Sequence, residues 1–541
     1  MKKGLVAILI LVLCLSFSGC GKSDSRTPES DVVQTASGDN AASDAVVTFA
    51  AVHDIKDMNA HKTAAAQVAQ NMVFENLVTS TPNGLEPCLA TSWGVSEDGL
   101  VYTFHLRESV FFHDGTPFNA EAAKANIDAV QSNKESFSWL QLSQAIDHVD
   151  VVDEYTINIV LKHTYYPTLA ELSLTRPYGM TSLNDFIDGE TKDGVSGYHG
   201  TGPYILTEHV TDEYATFVAN EDYWGGVPEI GTFVWKVMPS GQTSYLAMLN
   251  GEINFSFPSS HDLLDEDMLN SLEKDGGFTV YRSEPTATDM IIVNTNTGFK
   301  ALKDVSVRNA IWIAINRDNI ANGVLSGNAI SATTMFSSNV PYCDIGLDAK
   351  GFDVEKAHSL LESAGWTYEN GSSYRSKDGQ DLEISVIYRS GSNRKTICEL
   401  IQSDLAAVGI KLVINELESA AYNSTRAAGE YDIALDQTWG NPYDAATTLA
   451  AMLPGGSYTH ALKGLNNVEN IEEAINEILS STDEKERQEL YKFVLSTIHE
   501  QATMIPITYV RIVMAASQEI GNVTFNYSQY EIPVERFTWL G

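Results

Sequence analysis

Short apolar runs alternate with amphipathic helical stretches along this sequence, and that alternation restricts it to the α/β class. The runs 233–237, 382–388 and 410–414 have the length and apolar content of strands. Stretches 354–364, 393–408 and 471–479 carry apolar residues at helical spacing, and Gly365 follows the first of them as a stop signal. Beyond the N-terminal region the chain continues for about 500 residues, too many for a single core, so two or more lobes are expected. No internal repeat is visible.

Lys2 and Lys3 precede an apolar run, 5–15, and Phe17-Ser18-Gly19-Cys20 follows. A basic start, a run of that length and small residues at its end read as a secretory signal, 1–19, too short for an ordinary membrane span. The cysteine directly after the small residues resembles a bacterial lipobox, which implies cleavage before Cys20, lipid on its sulfur and anchorage to the cell membrane. Residues 20–45 are expected to be a disordered tether, because 23–40 is rich in Ser, Asp, Thr and Gly. No later stretch is long and apolar enough to span a bilayer.

The charge balance is strongly acidic, 71 Asp and Glu against 34 Lys and Arg, a net −37. Such a surface argues against nucleic acid as a partner. Cys88, Cys343 and Cys398 are far apart and lack CxxC spacing, so they read as isolated buried thiols rather than a thiolate metal site.

Local signals place a strand at 47–52, a helix at 63–76, a turn at Ala90-Thr91-Ser92-Trp93 and an alternating strand at 102–106. Asp114-Gly115-Thr116-Pro117 marks a further turn, and Asn119 opens an Ala-rich helix running to Val130. Residues 431–435 read as a buried strand, after which Gly440 and Asn441-Pro442 break regular structure. Small ligands collect where strands run into loops at the carboxyl edge of an α/β sheet. Trp439 and Tyr443 offer flat apolar faces there, with one N–H donor and one hydroxyl. Taken alone, they read first as two core aromatics beside a turn.

The segment 102–123 (YTFHLRESVFFHDGTPFNAEAA), Gly200-Thr201-Gly202-Pro203-Tyr204, 220–225 (NEDYWG) and Val307-Arg308-Asn309-Ala310 occur in that order. Together they resemble the family 5 extracellular solute-binding proteins, receptors of peptide and nickel ABC importers. The resemblance implies two α/β lobes joined by two crossing segments, with the ligand closed between them. On that pattern 46–285 is the first lobe with an inserted subdomain, 286–510 the second, and 511–541 a return to the first. It also implies permease subunits as partners, a monomer and no catalysis. No Gly-x-Ser-x-Gly, His-Glu-x-x-His or phosphate-binding Gly loop is present to support a hydrolase.

Ser138-Trp139-Leu140, Tyr165-Tyr166-Pro167, Leu174-Thr175-Arg176-Pro177 and 438–444 resemble the nickel-receptor branch, in which the metal enters as a chelate with a small carboxylate- or histidine-type molecule. The resemblance makes Arg176 the clamp on a chelator carboxylate, with Trp139, Trp439 and Tyr443 as walls. A guanidinium fork pairs two N–H donors with one carboxylate, most strongly where water is excluded. That branch carries a second arginine where this chain has Ser136, with Lys134 nearby, and Arg389 and Arg394 are the candidates to replace it. Its metal-coordinating histidine sits on a loop represented here by 454–460. Ser457 falls nearest the expected place, and His460 is the nearby imidazole, a good donor for Ni²⁺. His61 is a further ligand-binding candidate. The cargo is thus expected to be a nickel chelate, with no catalytic cofactor. The alternative is a receptor for short peptides, which needs a carboxylate for the α-ammonium group. Neutral Asn441 stands where the peptide branch has an aspartate, and Asp444 would have to serve.

Overall fold

A computed structural model describes residues 42–541 except 82, 257–263, 275, 276, 370, 392 and 444. The expected signal, Cys20, most of the expected tether and Asp444 lie outside the described residues. Two long strands, Phe278–Val293 and Met504–Ser517, pair antiparallel in the middle of an 11-stranded sheet. On one side the order continues through Phe255–Ser256, Ser43–Ala51, Ile230–Val237, Tyr214–Ala219 and Tyr204–Val210. On the other side come Ile433–Gln437, Glu383–Arg389 and Lys411–Leu417, all parallel to one another.

Each side has its own core, and these are the two lobes of a mixed α/β fold. The first gathers Val47, Phe49, Phe217, Phe233 and Trp235 with Ile512, Ile532, Val534 and Phe537. The second gathers Ile291, Trp312, Leu361, Val386, Ile401 and Ile505. Burying one such aliphatic or aromatic side chain contributes about 1.5–3 kcal/mol. Ile532, Val534 and Phe537 therefore pin the C-terminal segment into the first lobe, beside strands from the start of the chain. The expected lobe borders at 285/286 and 510/511 fall inside the long strands, where the pairing shifts register between Pro285↔Arg511 and Ala287↔Val510.

A separate antiparallel sheet is built in the order Ala90–Val95, Val101–Leu106, Thr156–Leu161 and Ile146–Asp153. Helix Ala120–Ser132 covers it, and the Asn119 side chain caps that helix by accepting from the Ala122 N–H at 3.0 Å. Phe104, Ile127 and Ile157 of this subdomain share a core with Leu449, Ile475 and Val494 from the later chain.

Three local expectations are corrected. Ala90-Thr91-Ser92-Trp93 opens a strand rather than a turn, because pairing with Val101–Leu106 overrides a weak local preference. The first strand opens at Ser43, inside the expected tether, with its N–H on the Glu229 carbonyl. The helix expected at 63–76 spans only Gln67–Val73; Ala66 is extended and bonds its N–H to Ile55, and Phe74 is extended at the other end. The carbonyls of Thr63 and Ala65 thus stay outside the helix, where both accept from Arg176. Among the described residues no helix is long and apolar enough to cross a membrane.

Candidate functional site

The loop after strand Ile433–Gln437 is tied to the crossing strand Phe278–Val293. Thr438 N–H donates to the Thr288 carbonyl at 2.9 Å and Asn441 N–H to the Thr286 carbonyl at 2.8 Å. The Trp439 N–H goes to Thr448 Oγ1 at 3.1 Å, so the loop backbone is held from both sides. Trp439 and Tyr443 project from this frame with ring centroids 6.1 Å apart.

Trp139 arrives from the subdomain. Phe137 and Leu140 on either side are fully buried, and the short turn between them leaves Trp139 half-buried, facing the same rings. It stacks on Trp439 at 5.4 Å with planes 23° apart and meets Tyr443 at 5.8 Å. All three expected walls are therefore brought together, from segments far apart in the chain. Tyr530 adds a fourth ring, edge-on to Tyr443 at 5.9 Å.

Arg176 lies within electrostatic reach of the Tyr443 and Tyr530 hydroxyls. Buried Thr175, Pro177 and Tyr178 anchor its backbone, and the Arg176–Pro177 peptide is cis. One guanidinium nitrogen donates to the carbonyls of Thr63 and Ala65 at 3.1 and 3.3 Å, the other to Gln67 Oε1 at 3.0 Å. Burial lowers its pKa, yet it stays a cation. Among the described residues it has no carboxylate partner, and its buried Nε has no hydrogen-bond partner. A guanidinium held by neutral oxygens keeps its charge uncompensated, and a carboxylate brought to it would complete it.

Gln67, Gln529 and Tyr530 belong to this site and were missed in the sequence. Nothing local marks them, since they reach it only through the packing of helix Gln67–Val73 and the C-terminal segment. Arg389 and Arg394 line a different cavity of about 360 Å³, with Glu266, Asp289, Gln437 and Arg511. Neither has an ion-pair partner among the described residues, and the buried Nε of Arg389 has no hydrogen-bond partner there.

His460 is not at this site. Its ring packs edge-on to Tyr431, before the strand whose far end leads to Trp439, and is buried. Nδ1 meets Asn296 Nδ2 and Nε2 meets the Ala427 carbonyl, each at 3.3 Å, so both nitrogens are engaged. The short helix Thr459–Leu462 turns the ring inward, which the glycine-rich loop did not foretell. His460→Ala is expected to cost about 1–3 kcal/mol of stability in urea unfolding. The same variant should leave cargo affinity within about twofold, and a tenfold loss would return His460 to the site.

His61 also departs from expectation. It is fully buried, with Nδ1 at 2.9 Å from Thr191 Oγ1 and Nε2 at 3.2 Å from the Gly179 carbonyl. Burial pushes its pKa from 6.5 down to about 4. The folded chain binds this proton more weakly than the unfolded chain. Its contribution is therefore complete above pH 6.5 and is lost as pH falls from there toward 4. Wild type should lose on the order of 3 kcal/mol more than His61→Gln between pH 7 and 4. Parallel pH profiles from chemical denaturation would contradict this.

The family model for bacterial extracellular solute-binding proteins, family 5 Middle, matches residues 84–459. The nickel-binding periplasmic protein of Escherichia coli (strain K12) is 35% identical over 502 residues, 92% of this chain and 95% of that protein. The di/tripeptide-binding protein 2 of Pseudomonas aeruginosa (strain UCBPP-PA14) is 28% identical over 457 residues, 78% of this chain and 81% of that one. The structure of NikA from Brucella suis in complex with Fe(III)-EDTA superposes with a TM-score of 0.88 at 37% identity, covering 92% of this chain and 100% of that one. With a family model running over most of the sequence and relatives aligned along nearly its whole length, the chain belongs to the family 5 extracellular solute-binding proteins, the extracytoplasmic substrate-binding proteins of ABC importers.

Proposed function

We propose that this protein is a lipid-anchored receptor whose cargo is a chelate of nickel, or of a similar divalent metal, with a small histidine- or carboxylate-type metallophore. The observation that carries this reading is Arg176, a cation with no carboxylate partner among the described residues, set near Tyr443, which meets both rings of the Trp139–Trp439 stack. A carboxylate of the chelator completes that arginine, and the flat rings pack on the rest of the molecule. Among the described residues no three His, Cys, Asp or Glu side chains converge to hold a metal, so the chelator supplies the donor atoms. The names of two relatives support the same class: one is called nickel-binding, and the other was solved with an iron chelate.

Titration with Ni²⁺ alone, Ni²⁺ with L-histidine, and a pool of di- and tripeptides, each followed by tryptophan fluorescence, tests the reading. Trp139 and Trp439 should respond to the second. A response to peptides alone, indifferent to metal, would overturn it. Short peptides are the second reading, and one observation favours them. Arg389 and Arg394 have no ion-pair partner, and buried Asn441 Oδ1 no hydrogen-bond partner, among the described residues. The two arginines suit a terminal carboxylate, and Asn441 Oδ1 can accept from an ammonium whose charge Asp444 would have to offset.

The anchor rests on Ser18-Gly19-Cys20 after the apolar run, and the partners are the importer's permease subunits. Cys20→Ala is expected to stay unlipidated and leave the membrane fraction. Partitioning into detergent alongside wild type would contradict the lipobox.

A further inference from the structure

The Trp439 carbonyl oxygen accepts two hydrogen bonds, both from the C-terminal segment. Gln529 Nε2 donates to it at 3.0 Å and the Tyr530 hydroxyl at 3.1 Å. Gln529 Nε2 also reaches the Tyr530 hydroxyl oxygen at 2.9 Å, so its two hydrogens and the phenol hydrogen close a three-cornered network. The Tyr530 carbonyl is held in turn by Asn71 Nδ2 at 3.0 Å.

The donors and the acceptor sit on different lobes. Ile532, Val534 and Phe537 root the C-terminal segment in the first core, whereas Trp439 leads out of a strand on the second-core side of the long pair. Gly440 makes room for the contact. Its φ of +76° suits glycine, and a Cβ there would lie 2.2 Å from Gln529 Nε2.

We propose that Gln529 and Tyr530 are positioning residues that clasp the cleft. They grip the backbone of Trp439 only when the lobes are closed, and so hold its ring, with Trp139, against the cargo. The clasp rests on the aromatic cleft being the cargo site. It acts on the closed state, so its loss speeds cargo release and leaves capture nearly unchanged. Hydrogen bonds of this kind each alter an equilibrium by roughly 3–10-fold.

The test compares wild type, Gln529→Ala, Tyr530→Phe and the double variant, using Ni²⁺ with L-histidine as the probe. Tyr530→Phe keeps the ring on Tyr443 and removes only the hydroxyl. Stopped-flow tryptophan fluorescence should show dissociation about tenfold faster in the double variant, with association within about twofold. Gly440→Ala, which strikes Gln529, should copy that pattern. Hydrogen exchange of the amides of 438–443 in the proteins as purified is the cargo-independent measure, and it should be faster in the double variant. A lowered Tm with unchanged dissociation and unchanged exchange would make these contacts merely structural and sink the clasp. If wild type ignores the probe, the cargo reading fails, and the exchange comparison alone decides the clasp.

Discussion

Arg176→Ala is expected to weaken binding of the Ni²⁺ chelate by roughly 30-fold or more while the chain stays folded. The guanidinium has three neutral acceptors, the Thr63 and Ala65 carbonyls and the Gln67 amide oxygen, and no carboxylate partner among the described residues. Its removal therefore breaks no ion pair among the described residues. In the complex it leaves a chelator carboxylate unpaired inside the closed cleft, a loss of about 2–5 kcal/mol. Arg176→Lys should recover part of this, since an ammonium supplies the charge without the two-pronged fork. Calorimetry on the folded variants measures it, and unchanged affinity in Arg176→Ala would take this residue out of the site.

Trp439→Ala carries the second large effect, a loss of about 2–4 kcal/mol in cargo binding. Trp439 is the hub of the aromatic wall, stacked on Trp139 at 5.4 Å and tilted against Tyr443 at 6.1 Å. Truncation removes the indole face, lets water into the cleft and frees Trp139 to rotate. Trp439→Phe keeps a ring and should lose less. Its backbone contacts to Thr448, Gln529 and Tyr530 do not depend on the side chain, so the loop keeps its course. Trp139 remains as a fluorescent reporter, and calorimetry gives the affinity. A Trp439→Ala protein that binds the chelate as wild type does would mean that the ring pair is only core.

Much of the fold was legible because it is written locally. Strand and helix periods over 233–237, 354–364 and 393–408 are short-range signals, and the strands and helices formed there within a few residues of expectation. The ordered motifs from Tyr102 to Ala310 pointed to the family, and the Gly440 and Asn441-Pro442 break after a buried strand marked the loop that bears two of the walls. Where local signals were weak, tertiary pairing won. Thr91-Ser92-Trp93 joined a sheet because Val101–Leu106 lay beside it, and the first helix lost its ends to extended Ala66 and Phe74.

The roles of single polar groups were a different matter. A histidine in a glycine-rich loop looks available, but His460 spends both nitrogens on Asn296 and the Ala427 carbonyl, and His61 spends its own on Thr191 and Gly179. Resemblance made Arg176 a clamp on a cargo carboxylate, and only the structure shows the carbonyls that hold it and the phenol rings near it in the protein itself. The sequence by itself determined the fold class, the family and the chemistry on offer at Trp139, Arg176, Trp439 and Tyr443. Only the tertiary structure decided which of those groups meet, which are already satisfied, and that Gln529 and Tyr530 bond the Trp439 carbonyl. The physical reason is range. Propensity, periodicity and turn chemistry act over a few residues, whereas the partner of a buried polar group is chosen by the packing of segments hundreds of residues apart.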